Sequence, residues 1–250
     1  MELPVGYREL DVAGTALVAR SDAFERARHA LIEHGTLYEW ASQQPGVRTL
    51  RGRGETRVVP FDGGAWVVRH AFRGGSVARL LGDRYVRYGE PRPYAELRVS
   101  NGLRQHNIET PAVVAFAIYP DGIFYRADIV TEYVPDSVDL ATLTFGEHRA
   151  PPGQRVAAWR AAGALLRRAF NAGLLHPDLN LGNILIAGDP EAPRAWIIDL
   201  DRARLGGDMS ADRRVAMQRR MNRSREKLEE KYGQAVGKVE LIAFGEALHG

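Results

Sequence analysis

The sequence predicts an α+β fold, with an antiparallel sheet in the first half of the chain and mostly helices in the second half. Two Asp-Gly pairs, Asp62-Gly63 and Asp121-Gly122, each separate two extended apolar segments, which is a hairpin signal. The strongest helical pattern falls in the second half, over residues 152–173. At 250 residues, the chain has room for one large domain or for two small lobes.

The first half contains two predicted helical regions and four predicted strands. Apolar residues at helical spacing predict helical structure over residues 23–42, with a break near Gly35. A second helix is predicted over residues 93–106, with Leu97 and Leu103 on its apolar side. The predicted strands are residues 57–59, 65–70, 112–119 and 123–133.

The second half begins at an interruption of the strand pattern, Val134-Pro135-Asp136, which predicts a linker. We therefore place the two lobes at residues 1–133 and 134–250. The helix over 152–173 has one apolar stripe that includes Trp159 and Phe170. Two short apolar runs follow, and a basic helical tail is predicted last. These segments are residues 183–187, 195–200 and 212–232.

The composition excludes several classes of protein. The chain has no cysteine, so disulfides, thiolate catalysis and Cys-ligated metal sites are excluded. Residues 1–20 lack the basic and apolar regions of a signal peptide. The longest apolar run, residues 112–119, is far shorter than the roughly 20 residues that cross a bilayer. We therefore expect a cytosolic protein.

Basic residues are distributed unevenly along the chain. Only three of the 34 basic residues are lysines, Lys227, Lys231 and Lys238, so a mechanism that needs a lysine before residue 227 is excluded. Residues 202–225 contain eight arginines against two aspartates, a local balance of +6. Such a segment suits phosphates, an anionic membrane or nucleic acid equally well.

The polar residues that indicate chemistry lie beside two short apolar runs near residues 175–201. A polar side chain in such a place costs free energy unless it is paired or binds a ligand. Asp178 and Asn183, in a loop that enters a strand, and Asp199, at the end of the next strand, can face one cavity. In phosphoryl transfer, Asp178 would be a base for a hydroxyl, and the other two would supply oxygen ligands for Mg²⁺.

These residues resemble a known family. His176-x-Asp178-x-x-x-x-Asn183, with Ile198-Asp199-Leu200, resembles the catalytic loop and metal-binding Asp of the protein-kinase-like superfamily. The flanking residues are similar to those of the bacterial lipopolysaccharide kinases, in particular the kinases of 3-deoxy-D-manno-octulosonic acid (Kdo). The resemblance extends from about residue 51 to residue 205. It implies a two-lobe protein-kinase-like fold and Mg²⁺-dependent transfer from ATP to the 4-hydroxyl of Kdo on a lipid A precursor.

The resemblance also assigns roles within the site. It makes Asp178 the base or hydroxyl-positioning residue and makes Asn183 and Asp199 the metal ligands. It further implies that His176 braces the catalytic loop by hydrogen bonding. Residues 131–134 stand where a hinge would meet adenine, which makes Glu132 and Tyr133 candidate contacts.

The expected phosphate contacts lie earlier in the chain. Gly52 and Gly54 resemble a shortened phosphate-covering loop, in which glycine lets the backbone approach phosphate oxygens. Kinases usually hold the phosphates with a strand lysine paired to a helix glutamate. Because this chain has no lysine there, Arg69 is expected to replace it, since arginine stays charged and binds phosphate bidentately. Glu96 is its expected partner, with Glu90 as a rival.

Several alternatives stay open. Asp201 either binds metal or caps the following segment, and Asp128 is expected to be a structural partner of the hinge region. The acceptor could also be a heptose or another small molecule, because Pro177 and the missing Ala-Pro-Glu segment argue against a regulated protein kinase. A pseudokinase that only binds nucleotide is the alternative from another class. The resemblance places the basic tail near the lipid-linked acceptor or the anionic inner membrane, on its cytoplasmic face, and implies no nucleic-acid partner.

Overall fold

The computed structural model describes residues 2–50, 56–71, 83–207 and 210–250. The chain consists of two compact units, each with more contacts within itself than to the other. The first consists of Met1–Arg98 and Ala112–Tyr133, and the second consists of Val99–Pro111 and Val134–Gly250. None of the helices in the described ranges combines the length and apolar character needed to cross a bilayer.

The first unit is built on an antiparallel sheet of eight strands. The strands are β1 (Tyr7–Val12), β2 (Thr15–Arg20), β3 (Arg48–Leu50), β4 (Thr56–Phe61), β5 (Gly64–His70), β6 (Tyr85–Val86), β7 (Val113–Asp121) and β8 (Phe124–Glu132). Their order is β1-β2-β7-β8-β5-β4-β3, and β6 pairs with β8. The predicted hairpins at Asp62-Gly63 and Asp121-Gly122 join β4 to β5 and β7 to β8. The four predicted strands are therefore confirmed.

The hairpin of β1 and β2 was not predicted. Its turn residues, Ala13 and Gly14, both have left-handed backbone angles, with φ of 51° and 85°. Asn, Asp or Gly usually occupies the first of these positions, so alanine there gives no turn signal. The Asp11 Oδ1 atom accepts a hydrogen bond of 2.9 Å from the Gly14 N–H. The Asp11 side chain thus stabilises a turn that the two turn residues do not predict.

Helices cover both faces of this sheet. They are α1 (Phe24–His34), α2 (Leu37–Ser42) and the start of α3 (Arg92–Gln105), and the predicted break at Gly35 separates the first two. Because side chains alternate along a strand, Leu17 and Ala19 pack with α1 and α2, whereas Val18 packs with α3. Strand β7 is buried on both faces in the same way, which explains its uninterrupted apolar run.

The second unit contains a three-stranded antiparallel sheet and most of the helices. The strands are β9 (Val138–Asp139), β10 (Ile184–Ala187) and β11 (Arg194–Ile197), in the order β11-β10-β9. The helices are α4 (Leu140–Thr144), α5 (Pro152–Asn171), α6 (Ala211–Tyr232) and α7 (Lys238–His249). The predicted helix over 152–173 and the predicted basic helix over 212–232 are both confirmed as α5 and α6.

Helix α5 is at the centre of this core, and its predicted apolar stripe is buried. The predicted lobe division assigned all of residues 1–133 to the first lobe, and the structure differs from it at one segment. Val99, Leu103 and Ile108 pack in the core of the second unit, so the end of α3 and the segment after it belong there. An amphipathic helix joins whichever core buries its apolar residues.

Helix α7 was not predicted, because its apolar residues do not form one stripe. Val239 and Ile242 are exposed, whereas Ala243 and Leu248 are buried. The helix crosses α5 very closely at Gly163, where a Cβ atom would lie 2.4 Å from the Phe244 carbonyl oxygen. A glycine in the middle of α5 therefore has a packing role, since α7 occupies the space that a side chain would need.

Candidate active site

The predicted catalytic loop lies in the second unit, between α5 and β10. An isolated antiparallel bridge joins the start of this loop to the segment after β11, where Leu175 and Arg204 exchange two backbone hydrogen bonds of 2.8 Å. Leu174, Leu179 and Leu181 are buried beneath the loop. The polar residues between them are therefore held by buried apolar neighbours on either side.

His176 is almost completely buried, with 1% of its surface exposed. Its Nε2 atom lies 3.2 Å from the Ile198 carbonyl oxygen. Because a carbonyl can only accept, Nε2 carries the proton of the neutral ring. Burial lowers the pKa of His176, although the Ile198 carbonyl and neighbouring carboxylates oppose the shift. The neutral ring thus joins the catalytic loop to the residue before Asp199.

Asp178 is half-buried, and both its backbone and its side chain are held. Its carbonyl oxygen accepts hydrogen bonds from the Asn180 and Asn183 side-chain amides, at 2.8 and 3.0 Å. Its Oδ2 atom accepts one from Arg202 Nη1 at 3.1 Å. Arg202 was not assigned a role from the sequence, although it is the cation that follows the aspartates of the motif. The carboxylate is thereby fixed in place while it remains open to solvent.

Asn183 and Asp199 lie at the same end of the hairpin formed by β10 and β11. The Ile198 N–H donates to the Asn183 carbonyl at 3.0 Å, which extends the strand pairing by one bond. Asp199 follows directly in a left-handed conformation, with φ of 63°, which ends the strand earlier than predicted. Aspartate tolerates this region better than most residues, at a cost on the order of 1 kcal/mol. The backbone therefore turns at the residue whose carboxylate is exposed.

This pair fits the oxygen ligands that Mg²⁺ prefers. The Asn183 amide nitrogen is used by Asp178, so its amide oxygen remains as a ligand group. The described residues contain no cluster of three or more His, Asp and Glu side chains that could hold a metal ion. In the presence of phosphate groups, Mg²⁺ is usually bound by only one or two protein carboxylates.

Helix α6 also contacts the catalytic loop. The His176 N–H lies 3.4 Å from Met217 Sδ, and the Leu181 N–H lies 3.4 Å from Ser224 Oγ. Arg220 donates to the Pro177 carbonyl oxygen. The basic segment predicted as a tail is thus part of the packing around the loop, and Met217 and Met221 are buried in the core.

The first unit pairs Arg69 with Glu96. The Arg69 guanidinium on β5 donates to Glu96 Oε1 on α3, and the side chain of Glu96 is only 5% exposed. The rival candidate, Glu90, instead pairs with Arg98. A buried carboxylate needs such a cation, because leaving a buried charge unpaired costs several kcal/mol. The expected arginine–glutamate pair is therefore present.

The two candidate hinge residues are the last residue of β8, Glu132, and the residue directly after it, Tyr133. The Glu132 N–H donates to the Ala112 carbonyl and the Tyr133 N–H donates to the Ala65 carbonyl, both at 3.0 Å. The Glu132 carboxylate accepts from Arg20 at 2.5 Å. Any adenine contact from these two residues would therefore use groups other than their backbone N–H. Gly52 and Gly54, the candidates for the phosphate-covering loop, lie outside the described residues.

A buried polar network lies beside Arg69 and was not predicted as a unit. His70 Nδ1 lies 2.5 Å from Asp128 Oδ1, and its Nε2 lies 2.8 Å from Asp83 Oδ2. Asp128 is completely buried and also accepts from the Tyr119 hydroxyl and the Tyr38 N–H, each at 2.8 Å. The register of β5 on β8 places His70 opposite Asp128, and this pairing is the signal that sequence reasoning lacked.

Both ring nitrogens of His70 meet carboxylates, so the imidazolium form satisfies both bonds. Although burial favours the neutral ring, Asp128 and Asp83 raise the pKa of His70 above its usual value. Asp128 in turn anchors the first turn of α2 through Tyr38. Its position supports the expectation of a structural rather than a catalytic residue.

The sequence is similar to a known family of proteins. The model of the lipopolysaccharide kinase (Kdo/WaaP) family matches residues 38–238. The chain is 34% identical over 180 residues to a 3-deoxy-D-manno-octulosonic acid kinase of Stenotrophomonas maltophilia (strain K279a), which covers 71% of this chain and 68% of that protein. It is 33% identical over 237 residues to the kinase of that name from Xanthomonas axonopodis pv. citri (strain 306), covering 90% and 89%.

A solved structure is also similar. WaaP in complex with acyl carrier protein matches with a TM-score of 0.60 and 18% identity, covering 93% of this chain and 88% of that chain. This likeness confirms the predicted α+β, protein-kinase-like fold class.

The charge of His70 should make stability depend on pH. Since its pKa is raised in the folded protein, its contribution is complete below about pH 6.5, the unfolded value, and is lost as pH rises through the folded value. Urea unfolding between pH 6 and 9 should show the wild type losing free energy of unfolding relative to His70→Gln. The exposed His106→Gln variant should follow the wild type. Parallel profiles for wild type and His70→Gln would contradict the charged state.

Proposed function

Because this chain belongs to the lipopolysaccharide kinase (Kdo/WaaP) family, we propose that it transfers the γ-phosphoryl group of ATP to the 4-hydroxyl of Kdo on a lipid A precursor. The observation that carries this proposal is the backbone frame that fixes Asp178 and brings Asn183 and Asp199 to one end of a hairpin. The acceptor is taken from the name of the relatives, which are Kdo kinases.

Asp178 is the proposed base of the reaction. Its carboxylate would accept the proton of the sugar hydroxyl as the hydroxyl oxygen forms a bond to the γ-phosphorus. The bond between that phosphorus and the bridging oxygen breaks, and ADP leaves. Two amide hydrogen bonds fix the Asp178 backbone, so the carboxylate is positioned before the acceptor arrives.

Asn183 and Asp199 are the proposed ligands of Mg²⁺. When bound, the ion would neutralise charge on the phosphate oxygens. The Asn183 amide is oriented by its bond to the Asp178 carbonyl, and the backbone turn at Asp199 presents a carboxylate to solvent. The His176 ring joins both parts through Ile198, which supports a bracing role.

In the first unit, Arg69 is the proposed phosphate contact. Its ion pair with Glu96 holds the guanidinium on β5, and a guanidinium is a permanent cation that suits phosphate oxygens. Glu132 and Tyr133 are proposed to lie beside the adenine. Gly52 and Gly54 are proposed to cover the phosphates.

The outer face of α6 supports a peripheral contact with the cytoplasmic face of the inner membrane. Arg219, Arg223 and Lys227 are spaced by four residues and are exposed, whereas Met217 and Met221 on the opposite side are buried. Each basic residue near an anionic leaflet contributes about 1 kcal/mol to binding. The same face would suit the phosphates of the lipid-linked acceptor.

The transfer reaction tests the proposal directly. Purified protein with Mg²⁺, labelled ATP and Kdo-bearing lipid A precursor should label the glycolipid. Asp178→Ala and Asp199→Ala should each lower kcat by about 10³-fold, because one removes the base and the other a metal ligand. Asp189→Ala, at the far end of the same hairpin, should change kcat little.

Two results would contradict this assignment. A protein that binds ATP but labels no glycolipid would be a nucleotide-binding module. Label on a heptose with none on Kdo would show that the acceptor is wrong.

Arg69 should be essential as a cation. Arg69→Ala should lower kcat/KM by about 10²-fold or more, because it removes a charge that acts on the phosphates. Arg69→Lys should keep a measurable part of the activity, and Arg126→Ala, an exposed arginine on β8, should keep all of it. Unfolding in urea should be measured in parallel, since the alanine variant also removes the cation that is paired with Glu96. A folded and fully active Arg69→Ala variant would show that phosphate is held elsewhere.

The membrane contact should depend on charge. In co-sedimentation with vesicles containing anionic lipid, Arg219→Gln/Arg223→Gln should bind about 30-fold more weakly, and added salt should weaken the wild type. Arg149→Gln/Arg160→Gln removes the same charge from exposed positions outside α6 and should bind like the wild type. Equal binding to neutral and anionic vesicles would contradict an electrostatic contact.

A further inference from the structure

Arg202 has a defined place beside the proposed base. Its Nη1 atom donates to Asp178 Oδ2 at 3.1 Å, and it is the one described side chain that hydrogen bonds to this carboxylate. The backbone on its C-terminal side is fixed, because the Ala203 N–H donates to Leu200 and Arg204 pairs with Leu175. The side chain of Arg202 is nevertheless 55% exposed.

The contact with Asp178 explains only part of this arrangement. An exposed ion pair contributes about 0–1 kcal/mol to stability, so folding does not require Arg202. A guanidinium has five N–H donors in a planar fork, and the bond to Asp178 uses one of them, on Nη1. Since the described structure shows no other partner for Arg202, the remaining donors face solvent next to the place where the acceptor hydroxyl would bind.

The carboxylates around the loop favour a cation where an acidic acceptor would bind. Asp178, Asp199 and Asp201 place three carboxylates within or next to the loop. A negatively charged sugar would be repelled by them unless a positive group met its charge. Arg220 also reaches the loop, but it donates to the Pro177 carbonyl oxygen and not to a carboxylate.

We propose that Arg202 is a specificity-determining residue that binds the carboxylate of the acceptor sugar. This inference rests on the proposed function, because Kdo is an acid whose carboxylate (C1) and 4-hydroxyl (C4) belong to the same sugar. One edge of the guanidinium holds Asp178, and the other binds the carboxylate bidentately. The arginine thereby aligns the base and the acceptor on one rigid group.

The test compares an acceptor that has the carboxylate with one that lacks the charge. Steady-state kinetics would be measured with the Kdo acid and with its methyl ester, for wild type, Arg202→Gln, Arg202→Lys and Arg204→Gln. The wild type should prefer the acid by about 30-fold in kcat/KM, the size expected of a charge-assisted pair. Arg202→Gln should lose this preference, mainly through a higher KM for the acid, while the loss of the bond to Asp178 should lower kcat by the same factor for acid and ester.

The other variants separate charge from geometry. Arg202→Lys should keep a few-fold preference, because an ammonium supplies charge without the planar fork. Arg204→Gln removes the same charge two residues away, where the side chain is exposed, and should keep the full preference.

The outcomes distinguish this inference from the proposed function. If Arg202→Gln lowers kcat equally for acid and ester, with KM unchanged, then Arg202 acts only by positioning Asp178, and carboxylate recognition is overturned while the kinase assignment remains. A wild type that uses acid and ester equally well would also overturn it. A wild type that labels neither form would overturn the proposed function itself, and this inference with it.

Discussion

The pair of backbone hydrogen bonds between Leu175 and Arg204 is the constraint on which the catalytic segment of the second unit depends. It closes the chain between α5 and α6 into a loop. The conformational entropy lost in this one closure then restrains all the polar groups within the loop. Buried leucines hold the loop from below, and the hairpin of β10 and β11 holds its far side. Under that constraint Asp178, Asn183 and Asp199 need only short, local hydrogen bonds to be oriented.

The first unit is under a different constraint, because the chain has no lysine before residue 227. A buried lysine can lose its proton, but an arginine does not. The charge on Arg69 is therefore permanent, and a nearly buried Glu96 balances it. Next to it, His70 lies between two carboxylates. Adjacent positions on β5 thus carry an arginine and a histidine that are each held by acidic partners from outside this strand.

Much of the fold could be predicted from the sequence, because the patterns that predict it each lie within a single helix or hairpin. The Asp-Gly hairpins and the stripe of α5 are of this kind, and the order of Asp178, Asn183 and Asp199 along the chain indicated their joint site. The misses have other causes. The Ala13-Gly14 turn depends on a neighbouring side chain, α7 has no single apolar stripe, and the contacts of Arg202 and Asp128 depend on how distant segments meet. No local periodicity contains that information.

Helix α6 contributes residues to two different surfaces. Its inner side contacts the catalytic loop at His176, Pro177 and Leu181, while its outer side carries Arg219 and Arg223. The loop and the helix therefore belong to one cooperative unit in the sense of local unfolding. An opening of α6 would remove three supports of the loop at once, so the free energy of that opening limits the fraction of molecules in which the loop is assembled. Anything that binds and orders the outer side would raise the population of the catalytic geometry.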